Sequence, residues 1–173
     1  AIDVANGGKY VVAERSSGAN GRELLLAAAD RASSSDQRLF GFFGIGAAKG
    51  HLPFATADGD FQPTVGRANK AESYSKADIT ENPTLAKMTS AALTALAPSE
   101  KGFWLLVEAG DVDWANHDNN LDNSIGAVNS GDRAFRIITD WVEKHSNWNE
   151  TVVVLTADHG HYQWLDRPEG LIP

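Results

Sequence analysis

The chain has 173 residues, a net charge of −8 and no cysteine. Its length suits one globular domain with a substantial core, and its 42% hydrophobic and 22% charged residues exclude a disordered or fibrous protein. Without cysteine there are no disulfides, and histidine and carboxylate side chains must hold any transition metal. The acidic balance argues against nucleic acid or a membrane surface as a partner, and no apolar run could cross a bilayer.

The N-terminal half of the sequence predicts short strands, one helix and a long loop. We expect a strand over Lys9–Ala13 and a helix over Arg22–Ala32, where apolar residues recur at helical spacing. The compact apolar run Arg38–Phe43 predicts a buried strand. Residues from about 44 to 80 are rich in Gly, Ala, Pro and Asp with little periodicity, so they predict an irregular loop insertion.

The C-terminal half predicts two further strands and two helices. The segment Asn82–Thr84 should open a helix, and a long amphipathic helix is expected from about Asn123 to His145. The apolar segments Gly102–Val107 and Thr151–Ala157 predict strands, and Asp111–Asn123 predicts a polar turn region between the first of them and the long helix.

The order of these elements predicts the fold class. Near-continuous apolar strands that alternate with helices are typical of an α/β fold, with a mostly parallel central sheet and helices on both faces. Neither an internal repeat nor a linker divides the sequence, so residues 1–173 are interpreted as a single α/β segment.

Residues able to bind metals follow both late predicted strands. The first cluster contains Glu108, Asp113 and His117, and the second contains Asp158 and His159. In a parallel sheet, ligands bind beyond the carboxyl ends of the strands, so neighbouring strands would open both clusters onto one crevice. Three carboxylates there would repel one another without a cation, and mixed Asp and His ligands suit zinc. A two-metal site also suits in-line phosphoryl chemistry.

Each cluster has an ordinary structural explanation as well. Asp113 and His117, four residues apart, are compatible with a surface ion pair or a helix cap, and Asp158 is compatible with a capping residue beside a partly buried His159. Isolated histidines such as His51 are expected to be ordinary surface residues. The combination of two clusters at two predicted strand ends favours the metal site.

The two clusters resemble those of the alkaline phosphatase family. The resemblance lies in Glu108–His117 and in Thr156–His161, with further matches at 51–55, 83–89 and 101–107. The motif Thr-Ala-Asp-His-Gly is shared with phosphodiesterases and phosphomutases of the wider superfamily. The spacing of Glu, Asp and His in the first cluster is what narrows the resemblance to the phosphatases.

The resemblance implies a site with two Zn²⁺ and one Mg²⁺. Glu108 matches a magnesium ligand in the family. Asp113 and His117 match two ligands of the first zinc, and Asp158 and His159 match ligands of the second.

Two further positions gain a role from the resemblance. His161 matches a histidine that hydrogen-bonds the Asp113-type ligand, and Trp114 lies at a variable position beside the phosphate pocket. In having Trp there, the sequence resembles the cold-adapted marine bacterial branch of the family.

The implied activity is hydrolysis of phosphate monoesters through a phosphoserine intermediate, with release of inorganic phosphate. The resemblance also implies a homodimer in the periplasm or outside the cell. However, no Ser in this sequence follows Asp as the family's nucleophile does, and the family's phosphate-clamping Arg and remaining metal ligands have no match. We therefore expect a middle-to-late segment of a longer enzyme, inactive by itself. A non-catalytic metal- or phosphate-binding homologue, or a phosphodiesterase or phosphomutase, is the alternative.

Overall fold

The computed structural model describes residues 2–45, 51–62 and 73–165, together with Glu169. The parts of the predicted loop at 46–50 and 63–72 lie outside the described residues. A short 3₁₀ helix at Val4–Asn6 precedes the main elements. In chain order these are β1 (Tyr10–Glu14), α1 (Gly21–Ser34), β2 (Arg38–Phe42), α2 (Lys76–Glu81), α3 (Leu85–Leu96), α4 (Asp111–His117) and α5 (Leu121–His145).

The strands β1 and β2 form a parallel pair, with Tyr10 opposite Arg38 and Glu14 opposite Phe42. Helix α1 makes the connection between them, as a parallel pair requires. The Asn20 side chain begins this helix by accepting hydrogen bonds from the backbone N–H groups of its first turn. The predicted α/β class with parallel strands is confirmed.

The core lies between this strand pair and the helices. Helix α1 packs against both strands and against α3, and α3 in turn packs against α5. The buried members of the core come mainly from one face of α1 and from β1: Val11, Ala13, Leu25, Ala28, Ala29, Ala32, Phe43 and Ala91. Because α5 also packs against α4, the core fixes the position of α4 through α5.

The prediction that the strand at Arg38–Phe43 is buried is wrong for β2. Its residues alternate between exposed and half-buried, and Phe40 and Phe42 are exposed. Within the described residues the sheet has two strands, and α1 covers the face of β2 that does not bear these two rings. The apolar sequence therefore marks β2 as a strand but does not guarantee that both its faces are covered.

The predicted strands at Gly102–Val107 and Thr151–Ala157 do not pair with any described strand. Trp104 is 81% exposed and Val152 is 86% exposed, so neither side chain packs in the core. Exposure alternates from one residue to the next at 104–108 and at 151–154, as in an extended chain. A strand needs a neighbour for its backbone hydrogen bonds, and β1 and β2 do not reach these segments.

Two predicted irregular regions contain helices. The loop expected at about 44–80 ends at Ser75, because a reciprocal capping box between Ser75 and Asp78 begins α2. The expected polar turn at Asp111–Asn123 is mostly helix α4, whose acidic residues lie in the first turn and whose His117 lies in the last, as the helix dipole favours. Among the described residues, no helix is both long and apolar enough to span a bilayer.

Candidate metal centre

Helix α4 presents Asp113 and His117 on the same face. The two residues are four apart, which is about one helical turn. The Nε2 atom of His117 lies 3.3 Å from Oδ2 of Asp113. Two ligands of a tetrahedral zinc ion with bonds of 2.0–2.1 Å are themselves about 3.3 Å apart, so this spacing fits one ion.

The segment that follows residue 157 brings two further imidazoles to Asp113. The Nε2 atoms of His159 and His161 each lie 3.7 Å from Oδ1 of Asp113. The same Nε2 of His159 lies 3.5 Å from Oδ2 of Asp158. Asp113 and Asp158 therefore contact one shared imidazole, which places the two sequence clusters at a single location.

Asp113, His117 and His161 form a compact group. One ligand atom from each residue lies within 4.8 Å of the other two, and the imidazole rings of His117 and His161 meet edge to face at 4.7 Å. The Oδ1 atom of Asp113 is buried and accepts no hydrogen bond from the described residues. A buried carboxylate oxygen with free lone pairs beside imidazole nitrogens suits a divalent cation, so the donor set fits zinc.

The electrostatic environment of His159 favours its protonated form in the metal-free protein. A hydrogen bond to the backbone oxygen of Gly160, 3.0 Å from Nδ1, is the main reason that the pKa of His159 is raised, and the nearby Asp158 and Asp113 raise it further. A metal ion that binds His159 must displace this proton, so metal affinity should rise as pH rises through the raised pKa of His159.

The structure does not bring all the predicted site residues into this group. Glu108 is exposed at the end of the unpaired segment 102–108 and does not belong to the group of Asp113, His117 and His161. Asp158 contacts His159 but its side chain is 91% exposed. Both residues follow segments that do not pair with a described strand.

His161 is a member of this group, and Trp114 lies beside Asp113 on α4. The 3.7 Å between Nε2 of His161 and Oδ1 of Asp113 is too long for a hydrogen bond. Trp114 follows Asp113 on α4, is 48% exposed, and lines a shallow cleft with Phe54 and Asn123.

Sequence reasoning missed the part played by His51. Its side chain is only 8% exposed, and its Nδ1 lies 3.3 Å from Oδ1 of Asp111 at the start of α4. The expectation of an ordinary surface histidine is therefore wrong. The neighbouring Leu52, Pro53 and Phe54 were a signal, because an apolar run around a histidine indicates burial.

The segment 158–164 is held against the end of α4 by two asparagines. The Nδ2 of Asn119 donates to the backbone oxygen of Trp164 (2.9 Å), and its Oδ1 accepts from the Trp164 N–H (2.7 Å). The Oδ1 of Asn116 accepts a further bond from the side-chain amide of Gln163. No motif in the sequence indicated these contacts.

The comparisons with known proteins agree on one family. The family model described as alkaline phosphatase matches residues 19–167. Alkaline phosphatase H of Pseudomonas aeruginosa is 34% identical over 150 residues, which are 83% of this chain and 29% of that protein. The alkaline phosphatase of Escherichia coli is 36% identical over 91 residues (53% and 19%), and a membrane-bound alkaline phosphatase of Bombyx mori is 39% identical over 84 residues (49% and 14%).

The chain thus spans less than a third of the length of each of these relatives. The family match nevertheless covers most of the chain and includes both clusters of Asp, Glu and His residues. The chain belongs to the alkaline phosphatase family.

Proposed function

We propose that this chain supplies metal-binding residues for the hydrolysis of phosphate monoesters. The observation that supports the proposal best is the group of Asp113, His117 and His161, whose ligand atoms lie within 4.8 Å of one another. Membership of the alkaline phosphatase family gives independent support.

The proposed ligands follow the two clusters. Asp113 and His117 bind the first zinc ion, Asp158 and His159 bind the second, and Glu108 binds magnesium through an oxygen ligand of the kind that this ion prefers. Bound zinc would supply Lewis-acid stabilisation of the negative charge that develops on the reacting oxygens.

The protein's own side chains have two proposed tasks around the ions. His161 orients the Asp113 carboxylate, since its Nε2 faces Oδ1 of that residue. Trp114, exposed on α4 next to Asp113, borders the phosphate and excludes water from one side of it. The Ser that would form the phosphoserine intermediate is not supplied by these 173 residues.

The proposed substrates are phosphate monoesters, and inorganic phosphate is a product that the site also binds. We propose a homodimeric enzyme in the periplasm or outside the cell, and neither a nucleic acid nor a membrane as its partner. Light scattering of the purified enzyme tests the dimer, and cell fractionation tests the location.

The experiment that tests the function is aryl phosphate hydrolysis by the full-length enzyme that contains this chain. We expect hydrolysis that is lost after chelation, restored by zinc and magnesium, and lost in His117→Ala. The matched control is His145→Ala, which removes an exposed histidine at the end of α5. Hydrolysis that survives both chelation and His117→Ala would refute the proposal.

The 173-residue chain by itself gives a second test. Because it lacks the nucleophile, we expect no turnover even with both metals supplied. If the 173-residue chain takes up zinc tightly and stoichiometrically, and the full-length enzyme also shows no turnover, the results would instead support a non-catalytic binding protein.

A further inference from the structure

The histidine-bearing segment 158–164 has no secondary structure of its own to hold it in place. The extended segment before it does not pair with any described strand, and Asp158 and His159 are exposed. Nevertheless the imidazoles of His159 and His161 both face the carboxylate of Asp113 on α4. Contacts outside the metal-binding group must therefore align this segment with the helix.

Asn119 makes the contact best suited to that task. Its side-chain amide donates to the oxygen and accepts from the N–H of the same residue, Trp164. This two-point contact copies the pairing of neighbouring strands, so it fixes orientation as well as distance. The half-buried asparagine thus replaces a strand partner for this part of the backbone.

Asn119 is itself held firmly relative to α4. Its backbone N–H donates to the oxygen of Asn116 (2.9 Å), within the last turn of the helix. Its φ of 50° lies in the left-handed region, which asparagine tolerates better than most residues. This backbone conformation ends α4 and turns the Asn119 amide toward Trp164.

The contact between Asn119 and Trp164, here called the clamp, joins two residues that each lie close in sequence to a metal-binding residue. Asn119 follows His117 by two residues, and Trp164 follows His161 by three, a stretch of chain that spans at most about 11 Å. The imidazole nearer the clamp is also the more enclosed one, since the His161 side chain is 23% exposed and that of His159 is 56% exposed. Fixing Trp164 therefore restricts where His161 can lie relative to His117.

We propose that Asn119 is a positioning residue that fixes the segment 158–164 against the end of α4 and so holds His159 and His161 beside Asp113. Its role in metal binding rests on the proposed function, whereas its role in aligning the two segments does not. Asn119 is not proposed as a ligand of a metal ion or of the substrate; it acts through the segment 158–164.

The test compares Asn119→Gly with Asn129→Ala in the full-length enzyme. Glycine keeps the left-handed backbone at no steric cost and removes both hydrogen bonds to Trp164, whereas Asn129 is an exposed asparagine on α5. Asn119→Asp is the intermediate variant, because it can still accept from the Trp164 N–H but repels the Trp164 oxygen.

Two readouts separate alignment from metal binding. The first readout is the nuclear Overhauser effect between the ring protons of His117 and His161, measured by NMR on the metal-free enzyme with labelled histidine. It should be lost in Asn119→Gly and kept in Asn129→Ala. Zinc affinity, measured by competition with a chelator, should fall about ten- to hundredfold in Asn119→Gly, less in Asn119→Asp, and not in Asn129→Ala.

The outcomes are distinguishable. If the wild-type enzyme binds no zinc, the proposed function fails, and the ring contact still decides the alignment. If the wild type binds zinc and Asn119→Gly keeps both the ring contact and the affinity, the clamp proposal is overturned. Loss of affinity with melting temperatures equal among the variants supports positioning and excludes general unfolding.

Discussion

Replacing Gly126 with Ala should separate the segment 51–57 from α5. A Cβ atom at position 126 would overlap the carbonyl oxygen of Ala55 and press on Thr56. Both partners are backbone, so no side chain can rotate away to relieve the overlap. The segment must move, and the hydrogen bond from the Ala57 N–H to Oδ1 of Asp122 would be strained or broken.

The expected cost follows from three contributions. Overpacking against fixed backbone costs about 1–3 kcal/mol. Loss of the Ala57–Asp122 hydrogen bond adds about 1 kcal/mol. The better helix propensity of alanine returns at most about 1 kcal/mol. We therefore expect Gly126→Ala to lower the free energy of unfolding by about 2 kcal/mol.

The assay is urea unfolding of the metal-free protein, followed by circular dichroism. Gly131→Ala is the matched control on the same helix, because its Cβ would meet only the methyl group of Ala109, at 3.0 Å. Ala109 lies outside the helices and strands, so a shift of a few tenths of an ångström relieves the contact, and the better helix propensity of alanine offsets its cost. We therefore expect a change near zero. If Gly126→Ala and Gly131→Ala have the same free energy of unfolding, the inference that the Ala55 backbone packs directly against α5 is refuted.

Two further predictions concern stability, and a third concerns the exposed apolar surface. A hydrogen bond from the Ser75 hydroxyl lowers the pKa of Asp78, a hydrogen bond from the Gly18 N–H lowers that of Glu81, and both carboxylates pair with Arg15 at 2.9 Å. The stabilisation from these two groups is fully present above the unfolded pKa near 4 and is lost as pH falls through their lower folded pKa values. The urea midpoint should therefore fall less on acidification in Arg15→Met than in the wild type. Leu25→Ala should lower the free energy of unfolding by about 2–5 kcal/mol in the same urea assay, because Leu25 is 2% exposed in the core. Finally, Trp104→Asp in the 173-residue chain should reduce binding of an apolar dye, because this ring is exposed; unchanged dye fluorescence would contradict it.

The helices that the sequence predicted well are those with local signals. Helix α3 begins at Leu85, after the Thr84 cap, and α5 runs from Leu121 to His145, close to its predicted limits. A capping residue and an apolar face at helical spacing depend on a few neighbouring residues. Such features are visible in the sequence without knowledge of the rest of the fold.

The predictions that failed depend on contacts between distant residues. The apolar run at 151–157 indicates an extended chain, but pairing needs a neighbouring strand at the right distance. The burial of His51 depends in the same way on Asp111, sixty residues away along the chain. Local sequence states what a segment can form, and the partners decide what it does form.

The candidate site combines both kinds of information. The spacing of Asp113 and His117 places them on one face only if the segment is helical, because four residues make about one turn. The sequence predicted a polar turn there, and the structure shows helix α4. The approach of His159 and His161 to Asp113 cannot follow from spacing, since forty-six or more residues separate them. It follows from contacts such as the Asn119 clamp, which no metal-binding motif includes. A search for positioning residues in this family should therefore examine side chains that hydrogen-bond the backbone next to the Asp- and His-bearing motifs. At such a position, a single asparagine can decide whether the two segments that carry the candidate ligands meet.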